Sequence, residues 1–155
     1  MAIRNIVKDG DEILLKKSRP VERFDEKLSM LLEDMRETLK AAEGAGLAAV
    51  QVGVLRRVCI IDVGDGVIEL INPEIVSSSG AIEDVEGCLS FPNQWGMVSR
   101  PATVKVKAFN RNGKRVMIKG EGLKARALCH EIDHLNGVTF KTHVIRYLDE
   151  KELKK

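Results

Sequence analysis

The chain has 155 residues, which suits a single domain, spanning residues 1–155, that is large enough to bury a hydrophobic core. Lys and Arg number 25 and Asp and Glu 23, so the net charge of +2 argues against direct DNA binding through wholesale neutralisation of phosphates. Because the N-terminal stretch lacks the uninterrupted apolar run of a secretory signal, and no apolar run approaches the ~20 residues of a membrane span, we expect a soluble, cytoplasmic protein without a membrane partner.

The predicted elements follow no regular alternation of helix and strand. A first helix is predicted over residues 25–42, where leucine and methionine recur at three- and four-residue spacing, and Gly44 and Gly46 end it. Strands are predicted over residues 57–63, 67–71, 75–77, 103–110 and 115–118. The last two predicted elements are a long helix over residues 122–136 and a short charged helix over residues 148–154. This order predicts an α+β domain with mainly antiparallel strands packed around a central helix.

The segment at residues 44–53 is rich in glycine and alanine. Its string GAGLAA satisfies the dinucleotide fingerprint GxGxxA, but that fingerprint needs a strand before it and a helix after it. Here a predicted helix precedes the string and a strand region follows it. The segment is therefore interpreted as a tight turn where small residues let another backbone approach closely. Gln51 is the polar side chain of this segment that can donate a hydrogen bond at that surface.

The three cysteines are an odd and sparse set, which argues against a disulfide framework. Cys59 and Cys129 lie in an apolar run and in a helical pattern, so both are predicted to be small buried hydrophobic residues. Cys88 differs, because it follows Gly87 and precedes polar, turn-like sequence. A thiolate at this position would be a strong ligand for divalent iron or zinc.

The second long predicted helix contains the pattern His130-Glu131-x-x-His134. Residues four apart lie one turn above each other on a helix, so both imidazoles can reach one metal ion. Glu131 lies about 100° round the helix from His130, close enough to act on a metal-bound water. The opposite face is wholly apolar, which predicts that this helix is buried. The pattern alone leaves open that the two histidines are ordinary hydrogen-bonded helix residues.

A hydrolytic metal site needs a third protein ligand and an open position for water. In the metzincin pattern HExxHxxGxxH the last histidine position is Phe140 here, and His143 comes three residues too late. Glu150 and Glu152 lie in a polar tail and are interpreted as surface residues. The candidate for the third ligand is therefore upstream, at Cys88, which would give a set of one cysteine and two histidines.

Three blocks stand in order along the chain: GAGLAAVQ at residues 44–51, EGCLS at residues 86–90 and HEIDH at residues 130–134. This combination resembles the peptide deformylase family, and the N-terminal stretch IRNIVKDGDEILLKKS is similar to the family's usual start. The resemblance spans nearly the whole chain. It implies a metal-dependent hydrolase that removes the formyl group from N-formylmethionyl nascent polypeptides and releases formate, with those peptides and the ribosome as partners.

The resemblance also implies a role for each residue of the metal cluster. Cys88, His130 and His134 would bind one divalent metal ion. In the family this ion is usually Fe(II), and Zn(II), Ni(II) or Co(II) are also accepted. Glu131 matches the family's catalytic glutamate, which takes a proton from the attacking water and delivers it to the leaving amine.

The resemblance further implies which residues hold the substrate. Gln51 and the backbone N–H of Leu89 match the groups that bind the formyl oxygen. Gly46 lies where the substrate backbone pairs, and Glu86 also lines the cleft. A small apolar pocket for the methionine side chain is expected, and its candidate walls are Ala45, Leu123, Ala127 and His130.

Two departures from the family pattern bear on substrate preference and on ribosome docking. Many members carry an arginine where this chain has Trp95, and the chain ends soon after its last helix, without the long basic C-terminal helix of some members. Two alternative functions stay open, namely a metallopeptidase that cleaves internal peptide bonds and a non-catalytic, deformylase-like metal-binding protein. The presence of both Glu131 and Gln51 disfavours the second alternative.

Overall fold

The computed structural model describes residues 2–153, whose main elements are two long helices and two β-sheets. The helices are α1 at Glu26–Ala42, α2 at Leu123–Leu135 and a short α3 at Glu150–Leu153. The strands are β1 at Gly46–Ala48, β2 at Val58–Ile61, β3 at Ile68–Ser79, β4 at Ile82–Cys88, β5 at Phe91–Arg100, β6 at Thr103–Phe109, β7 at Arg115–Glu121 and β8 at Val144–Tyr147. Single 3-10 turns lie at Glu12–Leu15, Ala49–Val52 and Phe140–His143.

One sheet has five strands in the order β1-β2-β3-β6-β7, and the other has three in the order β4-β5-β8. Every strand pairing within them is antiparallel. Strands β1 and β4 each lie at an edge of their sheet. Helix α2 contacts both sheets, through β1, β2 and β7 on one side and β5 on the other. The predicted α+β architecture with mainly antiparallel strands is confirmed.

Strand β2 is apolar throughout because a helix covers each face of the sheet around it. Val58 and Ile60 belong to the hydrophobic cluster that includes α1, whereas Cys59 and Ile61 belong to the cluster that includes α2. All four side chains are fully buried. A strand covered on both faces is a continuous hydrophobic run rather than an alternating one. Cys129 also lies in the cluster of α2, so the predicted burial of both cysteines is confirmed.

Helix α1 begins one residue later than predicted, because Asp25 is its N-cap and accepts a hydrogen bond from the Leu28 N–H at 3.1 Å. At the other end, the residue in the left-handed conformation is Glu43, with φ 56°, and not one of the two predicted glycines. Gly44 is needed for a different reason, since a Cβ on it would lie 2.8 Å from Leu89 Cδ1. The end of α1 and the turn that carries Leu89 are thus packed against each other.

Strand β3 takes in two segments that the sequence pattern predicts as separate strands, residues 67–71 from Ile68 onwards and residues 75–77. The chain does not turn between them. Its pairing with β6 shifts register there, and Asn72 has a φ of 51° at the irregularity. A bulge of this kind bends a strand without ending it, so the prediction of two strands is wrong.

The largest difference from the sequence prediction is the hairpin of β4 and β5, where no strand is predicted. Cys88 is the last residue of β4, and Leu89 and Ser90 form the turn before β5. The cysteine is therefore held by a strand end rather than by a loose loop. No strand is predicted at β1 or β8 either, and these have only three and four residues.

The C-terminal helices match their predictions within one or two residues. Helix α2, predicted over residues 122–136, is flanked by Gly122 and Asn136 as its caps. Helix α3 lies within the predicted segment 148–154, of which Lys154 is outside the described residues. Within residues 2–153, none of the helices has the length and apolar character that crossing a membrane requires.

Candidate metal centre and active-site cleft

Helix α2 places two histidines one turn apart, and the end of β4 brings a cysteine against them. The ring centroids of His130 and His134 are 5.0 Å apart. Cys88 Sγ lies 3.3 Å from His134 Nε2, and the three candidate ligand atoms all lie within 4.8 Å of one another. Three protein ligands around one ion leave a position open for water or substrate, as catalytic zinc sites do.

The chemistry of this cluster fits a divalent transition metal. Thiolate and imidazole are ligands that iron and zinc accept in proteins. Burial, together with the nearby charges of His130 and Arg100, holds the pKa of His134 well below its ordinary value, so its ring is neutral and keeps a lone pair for a metal. Buried polar atoms normally have a partner. Among residues 2–153, the few buried side-chain atoms that have none include Oε1 of Glu131, which directly follows His130 on α2.

The carboxylate of Glu86 orients the imidazole ring of His130 by bonding to its Nδ1. Its Oε2 lies 2.7 Å from His130 Nδ1, which leaves the other ring nitrogen for the cluster. Arg100 donates to both carboxylate oxygens, at 3.1 and 2.7 Å, and Arg126 donates to Oε1 at 3.0 Å. Burial opposes ionisation of Glu86, but the hydrogen bonds from His130 and Arg100 hold its pKa well below the ordinary value. Glu86 lines the cleft as expected, but its carboxylate is committed to these partners.

The two arginines around Glu86 tie α2 to the three-stranded sheet. Arg100 of β5 also donates to Asp133 Oδ2 at 2.7 Å, and His143 Nε2 lies 3.1 Å from the same oxygen. Arg126 of α2 donates to the backbone carbonyls of Val98 and Ile82 at 3.0 and 2.7 Å. No sequence motif marks either arginine as part of the site. One feature of the sequence could have indicated Arg126. It lies one helical turn before His130, on a helix that is predicted to be buried, where a charged side chain needs a partner.

The side chain of Glu131 lies against β1. The pairing of Gly46 with Ile61 of β2 fixes the position of this strand. A Cβ on Gly46 would lie 2.5 Å from Glu131 Oε2, so the close approach predicted for the glycine-rich segment is made by a carboxylate and not by a second backbone. Burial raises the pKa of Glu131 to about 7.

The amide of Gln51 is oriented by its own helical turn. Its Oε1 accepts a hydrogen bond from the Ala48 N–H at 3.0 Å, which leaves the NH₂ group to point towards the cluster. There Nε2 donates to Ser90 Oγ at 3.1 Å and lies 3.6 Å from Cys88 Sγ. Leu89 directly follows Cys88 in the hairpin turn, so its backbone N–H belongs to the same corner of the cleft.

A cleft of about 590 Å³ opens over the cluster between the edge strands β1 and β4. His134 is fully buried and lies behind the surface of the cleft. The other residues that the sequence proposes for the site all line it, and these are Ala45, Gly46, Gln51, Glu86, Cys88, Leu89, Leu123, Ala127, His130 and Glu131. Lys8, Val85, Trp95 and Arg126 line it as well, without a role assigned from the sequence.

Comparison with known proteins places the chain among named relatives. A family model described as polypeptide deformylase matches residues 3–150. The peptide deformylase of Acetivibrio thermocellus is 57% identical over 155 residues, which cover 100% of this chain and 91% of that protein. The crystal structure of a peptide deformylase from Legionella pneumophila matches with a TM-score of 0.89 at 47% identity, covering 97% of this chain and 89% of that one. The peptide deformylase of Thermotoga maritima matches with a TM-score of 0.92 at 40% identity, covering 94% of this chain and 100% of that one.

Proposed function

The chain belongs to the polypeptide deformylase family, and from that premise we propose that it removes the formyl group from N-formylmethionyl nascent polypeptides and releases formate. The observation that carries this proposal is the meeting of one thiol and two imidazoles within 4.8 Å at the base of a cleft. An acid/base carboxylate and an amide donor border the same point. An open cleft suits an enzyme that must admit the end of a peptide chain.

Cys88, His130 and His134 would hold one divalent metal ion, with Fe(II) as the proposed resident and Zn(II), Ni(II) or Co(II) as alternatives. The thiolate favours these metals over magnesium or calcium, which prefer oxygen ligands. When bound in such a set, the ion lowers the pKa of a water molecule from ~15.7 towards ~7 and polarises a carbonyl group.

Glu131 is the proposed general base and acid. Its buried carboxylate borders the metal cluster on one side and Gly46 on the other, which leaves little freedom to turn away. There it would take the proton of the attacking water and deliver it to the amine that leaves with the methionine. Water's oxygen becomes bonded to the formyl carbon, the carbon–nitrogen bond breaks, and formate departs.

Gln51 and Leu89 would stabilise the negative charge that builds on the formyl oxygen. The Gln51 NH₂ group already points to the cluster because its carbonyl oxygen accepts from the Ala48 N–H. The Leu89 N–H would be the second donor. Removing one such donor typically costs ~2.7–4 kcal/mol of transition-state stabilisation.

The substrate backbone would add as a strand beside Gly46, at the free edge of the five-stranded sheet. The methionine side chain would then enter the apolar part of the cleft, between Ala45 on one side and Leu123 and Ala127 of α2 on the other. His130 would form a further wall of this pocket, and the carboxylate of Glu86 would keep its ring in place.

Formate release from a formyl-Met-Ala-Ser peptide tests the proposal, with the unformylated peptide as control and mass spectrometry of both products. We expect formate and intact Met-Ala-Ser. Cleavage of internal bonds would instead indicate a metallopeptidase, and full metal content without any turnover would indicate a binding protein. Glu131→Gln should keep the metal and lose most of the turnover, whereas full activity in this variant would refute the acid/base role.

The identity of the metal calls for metal analysis of anaerobically purified protein. Cys88 beside Fe(II) can oxidise, and the iron can then be lost. We therefore expect the iron form to lose activity in air while the zinc form keeps a lower activity. Equal durability of the two forms in air would contradict an accessible iron–thiolate centre.

From the proposed substrate we also infer where the protein acts. Formylated chains emerge from the ribosome, so we expect it to act in the cytoplasm and close to the ribosome. The net charge of +2 offers only a weak general attraction to ribosomal RNA, so we expect transient binding. Co-sedimentation of the protein with translating and empty ribosomes at low and high salt measures it. Binding that is stable at high salt would contradict a transient electrostatic contact.

A further inference from the structure

The N-terminal segment of residues 7–9 lies across both parts of the chain that carry the proposed oxyanion donors. The Val7 N–H donates to the backbone carbonyl of Gln51 at 2.7 Å, and the Asp9 N–H donates to that of Ser90 at 2.7 Å. Gln51 and Ser90 are 39 residues apart in the sequence. Segment 7–9 therefore joins, through its own backbone, two elements that are distant along the chain.

The side chains of this segment make further contacts with the same region. Lys8 Nζ donates to the backbone carbonyl of Leu89 at 3.4 Å. Asp9 Oδ2 accepts a hydrogen bond from Gln94 Nε2 at 3.2 Å and lies 3.5 Å from Lys141 Nζ. The carboxylate of Asp9 is thus bound to β5 and to the 3-10 turn that precedes β8. These contacts restrain the segment against the hairpin turn of β4 and β5.

The two proposed donors come from different sheets. Gln51 follows β1 of the five-stranded sheet, whereas Leu89 belongs to the hairpin turn of the three-stranded sheet. A side-chain bond also joins these two regions, from Gln51 Nε2 to Ser90 Oγ at 3.1 Å, but it uses the same amide that would bind the formyl oxygen. The backbone bonds of segment 7–9 leave that amide free, because they use the carbonyl groups of Gln51 and Ser90.

We propose that segment 7–9 is a positioning element for the oxyanion donors, which keeps the Gln51 amide and the Leu89 N–H at a fixed separation. This inference rests on the proposed function, in which these two groups bind the formyl oxygen. Such donors are effective because they are held in place before the charge develops. A misplacement of about 1 Å can lower a rate by roughly 100-fold. Loss of the two backbone bonds should therefore lower kcat and leave KM nearly unchanged.

The test compares proline with alanine at each position of the segment, using formate release from formyl-Met-Ala-Ser. Alanine removes the side chain and keeps the N–H, whereas proline removes the N–H as well. We expect kcat of Val7→Pro to be about 5- to 20-fold below that of Val7→Ala, and the same for Asp9→Pro against Asp9→Ala, with KM changed by less than about 2-fold. Lys8 is the matched control position, because its N–H donates to no backbone carbonyl among residues 2–153. Lys8→Pro and Lys8→Ala should therefore have similar kcat values.

Two further measurements separate positioning from a general loss of stability. In the Gln51→Ala background, kcat of Val7→Pro should lie within about 2-fold of that of Val7→Ala, because the donor that the bond positions is already absent and effects on one unit do not add. NMR order parameters of the zinc form should be lower at the Leu89 and Ser90 amides in Asp9→Pro than in Asp9→Ala, with no change in α2.

Equal kcat in the proline and alanine variants at both positions 7 and 9 would overturn this inference. A loss in Val7→Pro that is just as large in the Gln51→Ala background would overturn it too, and would make segment 7–9 a stabilising contact only. Asp9 is exposed, so the Asp9 variants decide the question if Val7→Pro does not fold. Absence of formate release by the wild type would instead overturn the proposed function, and this inference with it.

Discussion

The carboxylate of Glu131 occupies the space that a side chain on Gly46 would need. A Cβ on Gly46 would lie 2.5 Å from Oε2 and 2.9 Å from Cδ of Glu131. Neither partner can move far, because Gly46 is paired with Ile61 and Glu131 is on a helix whose far face is packed in the core. The glycine therefore determines where the proposed general base is.

Gly46→Ala should displace the Glu131 carboxylate and lower kcat by roughly 10- to 100-fold, since a misplacement of about 1 Å can cost that much. The metal content should stay at the wild-type level, because the three proposed ligands are not displaced. Gly120→Ala is a control for crowding alone, as the three atoms nearest its Cβ would belong to Leu128, at 2.9 Å, and to Ala125, and none to Glu131. It should lower the melting temperature with little change in kcat. A wild-type kcat in Gly46→Ala would contradict the role of this contact.

Gln51→Ala should lower kcat by roughly 100-fold while KM changes much less, because the lost donor acts on charge that exists only in the transition state. The variant should also be less stable by about 1–3 kcal/mol, since the buried Ala48 N–H loses its acceptor. Ser90→Ala removes the hydroxyl that accepts from Gln51 at 3.1 Å but keeps the amide, so its kcat should fall far less. Steady-state kinetics with thermal denaturation separates the two effects, and a rise in KM alone would refute the oxyanion role.

Glu86→Gln should weaken metal binding by about 10- to 100-fold. The substitution changes the carboxylate that bonds to His130 Nδ1 at 2.7 Å and so orients the ring. The variant should also unfold more easily, since Arg100 and Arg126 lose the charge that they share. Competition with a chelator measures the affinity. Glu83→Gln, on the same strand and exposed, should behave as wild type. Unchanged affinity in Glu86→Gln would show that His130 needs no such support.

The two long helices and the pair of histidines are predictable from the sequence because they depend on local spacing. His130 and His134 share a face through the helical repeat alone, and the apolar face of α2 predicts its burial. The network around Glu86 is not predictable in the same way. Its partner Arg100 comes from the paired strand 14 residues later, so the contact depends on the register of a hairpin.

There is a physical reason why no pattern predicts the hairpin of β4 and β5. On these strands three apolar residues are exposed, Ile82, Val85 and Trp95, and two charged residues are buried, Glu86 and Arg100. That reverses the alternation by which a half-buried strand is recognised. The bulge at Asn72 similarly divides β3 into two short runs in the sequence, although pairing with β6 continues on both sides.

Glu69 joins three elements of the fold, and its ionisation should make stability depend on pH. It accepts hydrogen bonds from Arg36 of α1 at 2.7 Å and from Arg111 at 3.0 and 2.6 Å. Burial opposes ionisation, but these bonds hold the pKa of Glu69 below its ordinary value of 4.5. A carboxylate whose pKa is lower in the folded state adds stability above its unfolded pKa and loses it as the pH falls through the folded pKa.

Glu69→Gln should therefore have a lower free energy of unfolding than wild type at pH 7, and the gap should narrow below about pH 4.5, where the wild type takes up a proton on unfolding. Urea denaturation between pH 7 and pH 3 measures both free energies. Glu74→Gln is the control, since Glu74 is exposed and forms a 3.4 Å ion pair with the exposed Lys107, so its loss should change little at any pH. A constant gap between wild type and Glu69→Gln across this range would mean that Glu69 contributes packing or neutral hydrogen bonds and not a charge stabilised by the two arginines.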